Sequence, residues 1–150
     1  MNVVKNICVC LVLALAFNVF EICLKSSFID NFMTEQIIGI QLSLMAITIA
    51  TYTFIISKLE ELSKEHPDSF NNTYKALKGA MIEQLYCIGI SVVLLILKKS
   101  EVLRNIEFQY FNLVINTLIS TVFIYAIDIL KDVGLAVFIL IDAFKKIKNK

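Results

Sequence analysis

Four long apolar stretches, separated by short polar segments, dominate the pattern of this chain. A helix needs roughly 20 mostly apolar residues to cross the hydrocarbon layer of a bilayer, which is about 30 Å thick. Each stretch reaches or approaches that length, so the pattern predicts four membrane-spanning helices. Their predicted ranges are 3–24, 37–57, 82–97 and 108–130.

The sequence defines the ends of some of these spans more clearly than those of others. No charged residue occurs from 37 to 57, and the charged run KLEELSKE follows at once. The third span is short, which predicts that it begins near Met81 and holds Glu83 and Gln84 in the headgroup region. After the fourth span, the apolar residues 133–141 are too few to cross again, so they either extend the helix along the membrane surface or pack on the bundle. The tail KKIKNK is expected to bind anionic headgroups.

The first stretch has a competing interpretation as a secretory signal peptide, because Lys5 precedes its apolar run. That run is longer than the roughly 7 to 15 residues of a signal core, and it has no cleavage site of the small-x-small pattern. We therefore expect it to be retained as a membrane-spanning helix.

The segment 58–84, between the second and third spans, is the one sizeable water-exposed element. Pro67 disfavours the α region for the residue before it, which predicts two helices with a turn between them. On the second helix, apolar side chains at steps of four, three and four form one stripe. The stripe consists of Phe70, Tyr74, Leu77 and Met81. It either closes a helical hairpin by packing on Leu59 and Leu62, or docks a cytosolic partner or another copy of the chain. The docking residues would be Phe70, Tyr74, Leu77, Lys75 and Lys78.

Composition agrees with a membrane protein. Apolar residues make up 58% of the 150 positions and charged residues 18%, and the mean hydropathy is +0.77, outside the usual range of soluble domains. We predict an all-α fold, a single polytopic bundle of four transmembrane helices with a cytosolic helical hairpin between spans two and three. The net charge of +1 and the lack of a basic stripe with interleaved aromatic residues argue against direct nucleic-acid binding.

The distribution of Lys and Arg predicts the orientation, since cytoplasmic loops carry the excess. With the amino terminus inside, ten of the 14 basic residues lie on the cytoplasmic side and four lie outside. We therefore expect a multi-pass protein of the bacterial inner membrane, with both termini cytoplasmic.

Candidate chemistry is sparse. The four cysteines fall within predicted spans, and Cys8 and Cys10 point about 200° apart around a helix, so neither a disulfide framework nor a quinone-linked thiol oxidoreductase is expected. His66 has no partner cysteines for a metal site. The sequence has no catalytic triad, no phosphate-binding glycine loop and no intramembrane histidine. We predict no enzyme activity, no metal and no cofactor.

Polar residues at membrane depth are the most informative, because leaving them unpaired in lipid is costly. The second and fourth spans each carry such residues in rows of helical spacing. We name the set the polar seam; it consists of Gln41, Thr48, Asn112, Asn116, Ser120, Thr121 and Asp128. The seam either holds helices or copies of the chain together through hydrogen bonds, or lines a water-filled path through an oligomer.

Glu21 lies in the first span with Lys25 four residues on, a spacing that suits an ion pair near the outer interface. A lone membrane carboxylate also marks proton pathways, and small drug–proton antiporters have four short helices with a first-helix Glu. Those proteins are shorter and rich in Gly and Trp, whereas this chain has four Gly and no Trp. The interfacial pair is therefore favoured.

The order of elements along the chain is a further feature. A short inside start and first span are followed by an acidic external loop with Asp30 and Glu35, a second span ending in TFIIS at 53–57, a charged cytosolic helix and two more spans. This layout resembles the small four-helix membrane subunits of bacterial phage-defence systems, such as those of the Kiwa system and the lambda Rex exclusion system. The resemblance implies a homo-oligomer, first expected to be a tetramer, that works with a soluble partner and senses infection or perturbs the membrane.

Two functional hypotheses follow. In the first, the chain is the membrane subunit of an anti-phage system that docks a soluble cytosolic partner. In the second, it is a stand-alone small transporter, channel or holin-like permease. A neighbouring gene for a soluble nuclease or nucleic-acid-binding protein would favour the first.

Overall fold

The computed structural model of this protein describes residues 3–63, 71–101 and 110–148. Within these ranges the chain is all-helical, and four helices are each long and apolar enough to cross a membrane. They are α1 (Val3–Cys23), α2 (Phe28–Ser63), α3 (Asn71–Lys99) and α4 (Phe111–Lys148). The predicted all-α, four-helix fold is confirmed, and these lengths and compositions identify a multi-pass helical membrane protein.

The helices differ in length. At 1.5 Å per residue, the 21 residues of α1 span about 32 Å, whereas the 36 residues of α2 and the 38 of α4 span about 54 and 57 Å. α2 begins at Phe28 and not at Ile37, so Asp30 and Glu35 lie in its first turns instead of in a loop. α2 and α4 therefore exceed the hydrocarbon thickness of about 30 Å.

α4 is the central helix of the bundle. It contacts α1, α2 and α3, whereas α1 packs along α4 and barely meets α2. Of the most apolar stretch of each helix, 39% is buried in α4 and 17% in each of the others. Most side chains in these stretches of α1, α2 and α3 are therefore not buried within the bundle.

The two ends of the bundle are built differently. At the turn end, where α1 ends and α2 begins, Lys25 adopts a left-handed conformation with φ of 51°. The Lys25 N–H donates to the Ile22 carbonyl at 3.0 Å and the Ser26 N–H to the Glu21 carbonyl at 3.1 Å, the two bonds of a Schellman motif. At the opposite hairpin end, α2 ends and α3 begins on either side of residues 64–70.

Three apolar clusters hold α2, α3 and α4 together. Near the turn end, Ile37 and Leu94 pack with Ile115 and Ile119 of α4. In the middle, Cys87 of α3 packs with α4, and at the hairpin end the cluster comprises Ile55, Leu77 and Val133. Each cluster also includes partly buried neighbours, and none of the three contains a residue of α1.

Residues 133–141, which follow the predicted fourth span, pack on the bundle only at their start. α4 runs without interruption past Lys131, and Val133 is buried against α2 and α3. Farther along, Leu135, Phe138 and Ile139 are exposed. Of the two alternatives for 133–141, packing on the bundle thus holds at Val133.

Candidate functional site

Polar side chains join α1 to α4 at two levels. Near the hairpin end, Asn6 Nδ2 donates to Asp128 Oδ2 at 3.0 Å, and Lys131 of the same helix forms an ion pair with Asp128. Nearer the turn end, Asn18 Nδ2 donates to Ser120 Oγ at 3.2 Å. Between these levels the buried residues of α1 are the small Cys10 and Ala14, which let the two helices approach closely.

A hydrogen bond between two buried side chains joins α2 to α3. Gln41 Nε2 donates to Ser91 Oγ at 2.9 Å, and both residues are buried. Gln41 Oε1 is buried and has no hydrogen-bond partner. Ser91 was not in the predicted seam, although its position one turn from Cys87 on the buried face of α3 was a usable signal.

Glu83 and Gln84 differ in their hydrogen bonding. The Tyr125 hydroxyl donates to Glu83 Oε2 at 2.8 Å and links α4 to α3. Gln84 is 2% exposed, and neither polar atom of its amide has a partner. The Gln84 side chain therefore points into the bundle, and its predicted depth in the headgroup region stays a prediction.

The remaining members of the polar seam have different surroundings. The Thr48 and Thr121 hydroxyls donate to carbonyls of their own helices, at 3.0 and 2.7 Å. Asn112 is exposed and Asn116 half-buried. Gln41, Ser120 and Asp128 are therefore the members that bond to another helix of the same chain, and the role of the seam in an oligomer or a pore stays a prediction.

The predicted pair of Glu21 and Lys25 does not form, although the structure describes both residues. The backbone N–H groups of Ile29 and Asp30 donate to Glu21 Oε1 at 2.6 and 3.3 Å, so the carboxylate caps the amino terminus of α2. Lys25 occupies the Schellman position and is exposed. At the same end, Lys98 pairs with Asp30 and ties α3 to α2.

The predicted docking residues are divided by the fold. Leu77 is buried against Ile55 and Val133, and thus lies in the core and not on an open surface. The ring of Tyr74 lies 6.1 Å from that of Tyr52 but Tyr74 remains 47% exposed. Lys75 and Lys78 are exposed, and Phe70 lies outside the described residues.

An open groove of about 530 Å³ lies at the hairpin end between α3 and α4. We call it the hairpin-end groove. Three of its five α3 lining residues are small, namely Ala76, Gly79 and Ala80. Gly79 faces open space, since a Cβ added there would meet no atom within 4 Å. Opposite lie Leu135 and Ile139 of α4, and Val3 of α1 closes one side.

The floor of the hairpin-end groove is acidic. Glu83, Asp128 and Asp132 all line it. Tyr125 donates to Glu83, and Lys131 pairs with Asp128 and lies 3.9 Å from Asp132 Oδ1. Asp132 Oδ2 is buried with no hydrogen-bond partner. An apolar groove with an unsatisfied carboxylate favours a ligand that is apolar on one face and carries a cationic or hydrogen-bonding group.

Within the described ranges, no group of three His, Cys, Asp or Glu residues could hold a metal ion. The four cysteines are free, with Cys10 and Cys87 buried and Cys8 and Cys23 exposed. Comparison with protein-family models, with curated proteins and with solved structures finds no match to this chain.

Proposed function

We propose that this chain is a non-enzymatic membrane subunit that binds a soluble cytosolic protein through the hairpin-end groove, and that the two act together in bacterial defence against phage. The observation that carries the proposal is the groove, whose lining extends beyond the predicted spans on both helices, to Gly79 of α3 and Ile139 of α4. The distribution of Lys and Arg supports a cytosolic position for this end. The layout shared with phage-defence membrane subunits supports the biological role.

The groove fits an amphipathic helix of the partner. Leu135 and Ile139 are exposed and lie one helical turn apart. They form an apolar wall that can contact the apolar side chains of such a helix at its own spacing of three or four residues. The small side chains of α3 leave room for its larger ones. A Lys or Arg of the partner would meet Asp132 Oδ2, which has no hydrogen-bond partner, whereas Oδ1 lies 3.9 Å from Lys131 Nζ.

The proposal includes a homo-oligomer of the membrane subunit, with a tetramer as the first arrangement to test. Exposed polar residues at a span end support it, since Asn112 lies in the first turn of α4 and is exposed. Native mass spectrometry from detergent would give the stoichiometry. A monomer at all concentrations would exclude the homo-oligomer, but it would not affect the proposal that a partner binds in the groove.

The functional test fills the groove without disturbing the fold. Gly79→Leu places a side chain in open space and improves helix propensity, so the chain should fold and insert normally. In cells that carry this gene with its neighbouring genes, we expect phage to plate on the variant as on cells without the system, because the partner helix is excluded.

Gly89→Leu is the matched control, because Gly89 lies on the same helix, is exposed and also faces open space. It should protect as well as the native chain. Equal protection by the two variants, at equal membrane levels, would exclude the groove as the partner site. If the native genes gave no protection against any phage tested, the defence role would fall.

A second function, ion or solute conduction, is favoured by the buried polar atoms without partners inside the bundle. Gln84 is the main case, since an unsatisfied amide is costly unless water reaches it. Reconstituted protein should then dissipate a potassium gradient in liposomes, and Gln84→Leu should slow the flux. Gradients left intact by the protein with its partner and trigger would end this alternative.

A further inference from the structure

A second cavity, of about 190 Å³, lies at the turn end between α1 and the first turns of α2 and α4. Seven of its nine lining residues are polar, and three of them carry the argument that follows. They are Asn18, Glu21 and Asn116. Because a water molecule takes about 30 Å³ of liquid volume, the cavity has room for an ion with several waters.

Glu21 lines this cavity, and only one oxygen of its carboxylate accepts hydrogen bonds from described residues. The residue is 6% exposed, and Oε1 receives both N–H groups of the α2 cap. Its other oxygen, Oε2, accepts no hydrogen bond from any described residue. The amino terminus of α2 supplies about half a unit of positive charge at most, which leaves a place for a cation beside the carboxylate.

Asn18 supplies a second oxygen. It is 2% exposed, and its Nδ2 donates to the Ala14 carbonyl at 2.8 Å and to Ser120 Oγ at 3.2 Å. A carbonyl can only accept, which fixes the nitrogen on that side of the amide. Oδ1 is consequently left on the other side, without a hydrogen-bond donor among the described residues.

Asn116 supplies a third oxygen from α4. Its Oδ1 is buried and has no hydrogen-bond partner, although the residue lines the same cavity. Three oxygens on two helices that line one small space therefore have no donor among the described residues. Of the three, Asn116 Oδ1 is a buried atom, and buried polar atoms are rarely left unsatisfied.

We propose that this cavity binds a monovalent alkali cation, Na⁺ or K⁺, through Glu21 Oε2 and the amide oxygens of Asn18 and Asn116. Carboxylate and amide oxygens are hard ligands that suit such cations. Asp30 also borders the cavity but is paired with Lys98, which leaves the single charge of Glu21. Calcium sites typically use more carboxylates and six to eight oxygens, so a monovalent ion fits better.

The ion would join α1 to α4 and complete the packing of the turn end. Its binding should therefore stabilise the fold, by an amount that rises with cation concentration. The inference does not depend on a cytosolic partner, because the cavity and the hairpin-end groove lie at opposite ends of the bundle.

The test is thermal unfolding of the full chain in detergent, followed by circular dichroism. The salt is sodium or potassium chloride, or N-methylglucamine chloride at the same ionic strength. We expect Tm to rise with sodium or potassium and to saturate. Equal Tm in all three salts would overturn the proposal and leave ordered water as the occupant. A further sample contains calcium chloride, and stabilisation by calcium alone would exclude the monovalent ion.

Variants identify the site. Glu21→Gln removes the charge, and we expect alkali binding at least about tenfold weaker, since hydrogen bonds and contacts to a charged group are the strong ones. Glu35→Gln makes the same change at an exposed position of α2 and should keep the native response. If Glu21→Gln fails to fold, Asn116→Ala keeps the cap and should also weaken the response. A full response in Asn116→Ala would overturn the ligand assignment.

Discussion

α1 and α3 both pack along α4, but they are held there by different interactions. The α3 contact is mainly apolar, with Leu94 and Cys87 in clusters with α4. The α1 contact contains no large apolar side chain among its buried residues, which are Cys10, Ala14, Asn18 and Glu21. The large side chains of α1, such as Phe17 and Phe20, are exposed.

The difference follows from the solvent. In a bilayer, moving an apolar side chain from lipid to protein gains little, so association depends on close packing and on hydrogen bonds between helices. α1 uses both, with small residues at steps of four and asparagines at either end of the row. The contact of α1 is thus readily disturbed by one bulky residue, whereas the α2–α3–α4 core depends on how well large side chains fit.

The largest expected effect is in the core. Ile119 is fully buried between helices, and Ile119→Ala should lower the free energy of unfolding by about 2 to 5 kcal/mol, because the cavity left behind is only partly refilled. Denaturant titration in detergent would measure it. Leu118→Ala, at an exposed position of the same helix, should cost much less, and equal losses would contradict the assignment of the core.

An intermediate effect is expected where α1 approaches α4 most closely. Ala14 is fully buried, and Ala14→Leu should destabilise the protein by about 1 to 3 kcal/mol, since the larger side chain forces the helices apart. The same titration applies. Ala16→Leu makes the identical change on the exposed face, and a loss as large as that of Ala14→Leu would show that α1 is not held by close packing.

The smallest expected effect is that of a single polar contact. A double-mutant cycle of Asn18→Leu and Ser120→Ala should give a coupling energy of about 0.6 kcal/mol, as is usual for hydrogen bonds between membrane helices. The measurement uses N-methylglucamine as the sole cation, so that alkali-cation binding in the turn-end cavity does not contribute to the coupling energy. Additive single effects would mean that the bond between Asn18 and Ser120 contributes nothing.

The four spans were predictable because length and apolarity alone determine whether a helix can cross a bilayer. The start of α2 was not, since Asp30 and Glu35 suggested a loop, whereas Lys98 of a distant helix compensates Asp30. Partners from distant parts of the chain cannot be read from local spacing. The same reason explains the wrong pairing of Glu21, which found two backbone N–H groups eight and nine residues on.

For two polar contacts between helices, the sequence predicted one of the two partners. Rows on spans two and four pointed to Gln41 and Ser120, but their partners Ser91 and Asn18 were missed. One usable signal on the first span was a row of small or polar residues at steps of four, between large apolar ones. The row is Asn6, Cys10, Ala14 and Asn18. The hairpin-end groove depends on the position of α4 beyond Val133, which periodicity does not fix.

The most direct measurement of partner binding is photo-crosslinking in infected cells, from a photoreactive residue placed at Ile139 in the hairpin-end groove. We expect crosslinks to the product of a neighbouring gene, and their loss when Gly79→Leu is added while Gly89→Leu leaves them in place. Crosslinks that form only to lipid or to copies of this chain, unchanged by Gly79→Leu, would contradict the account.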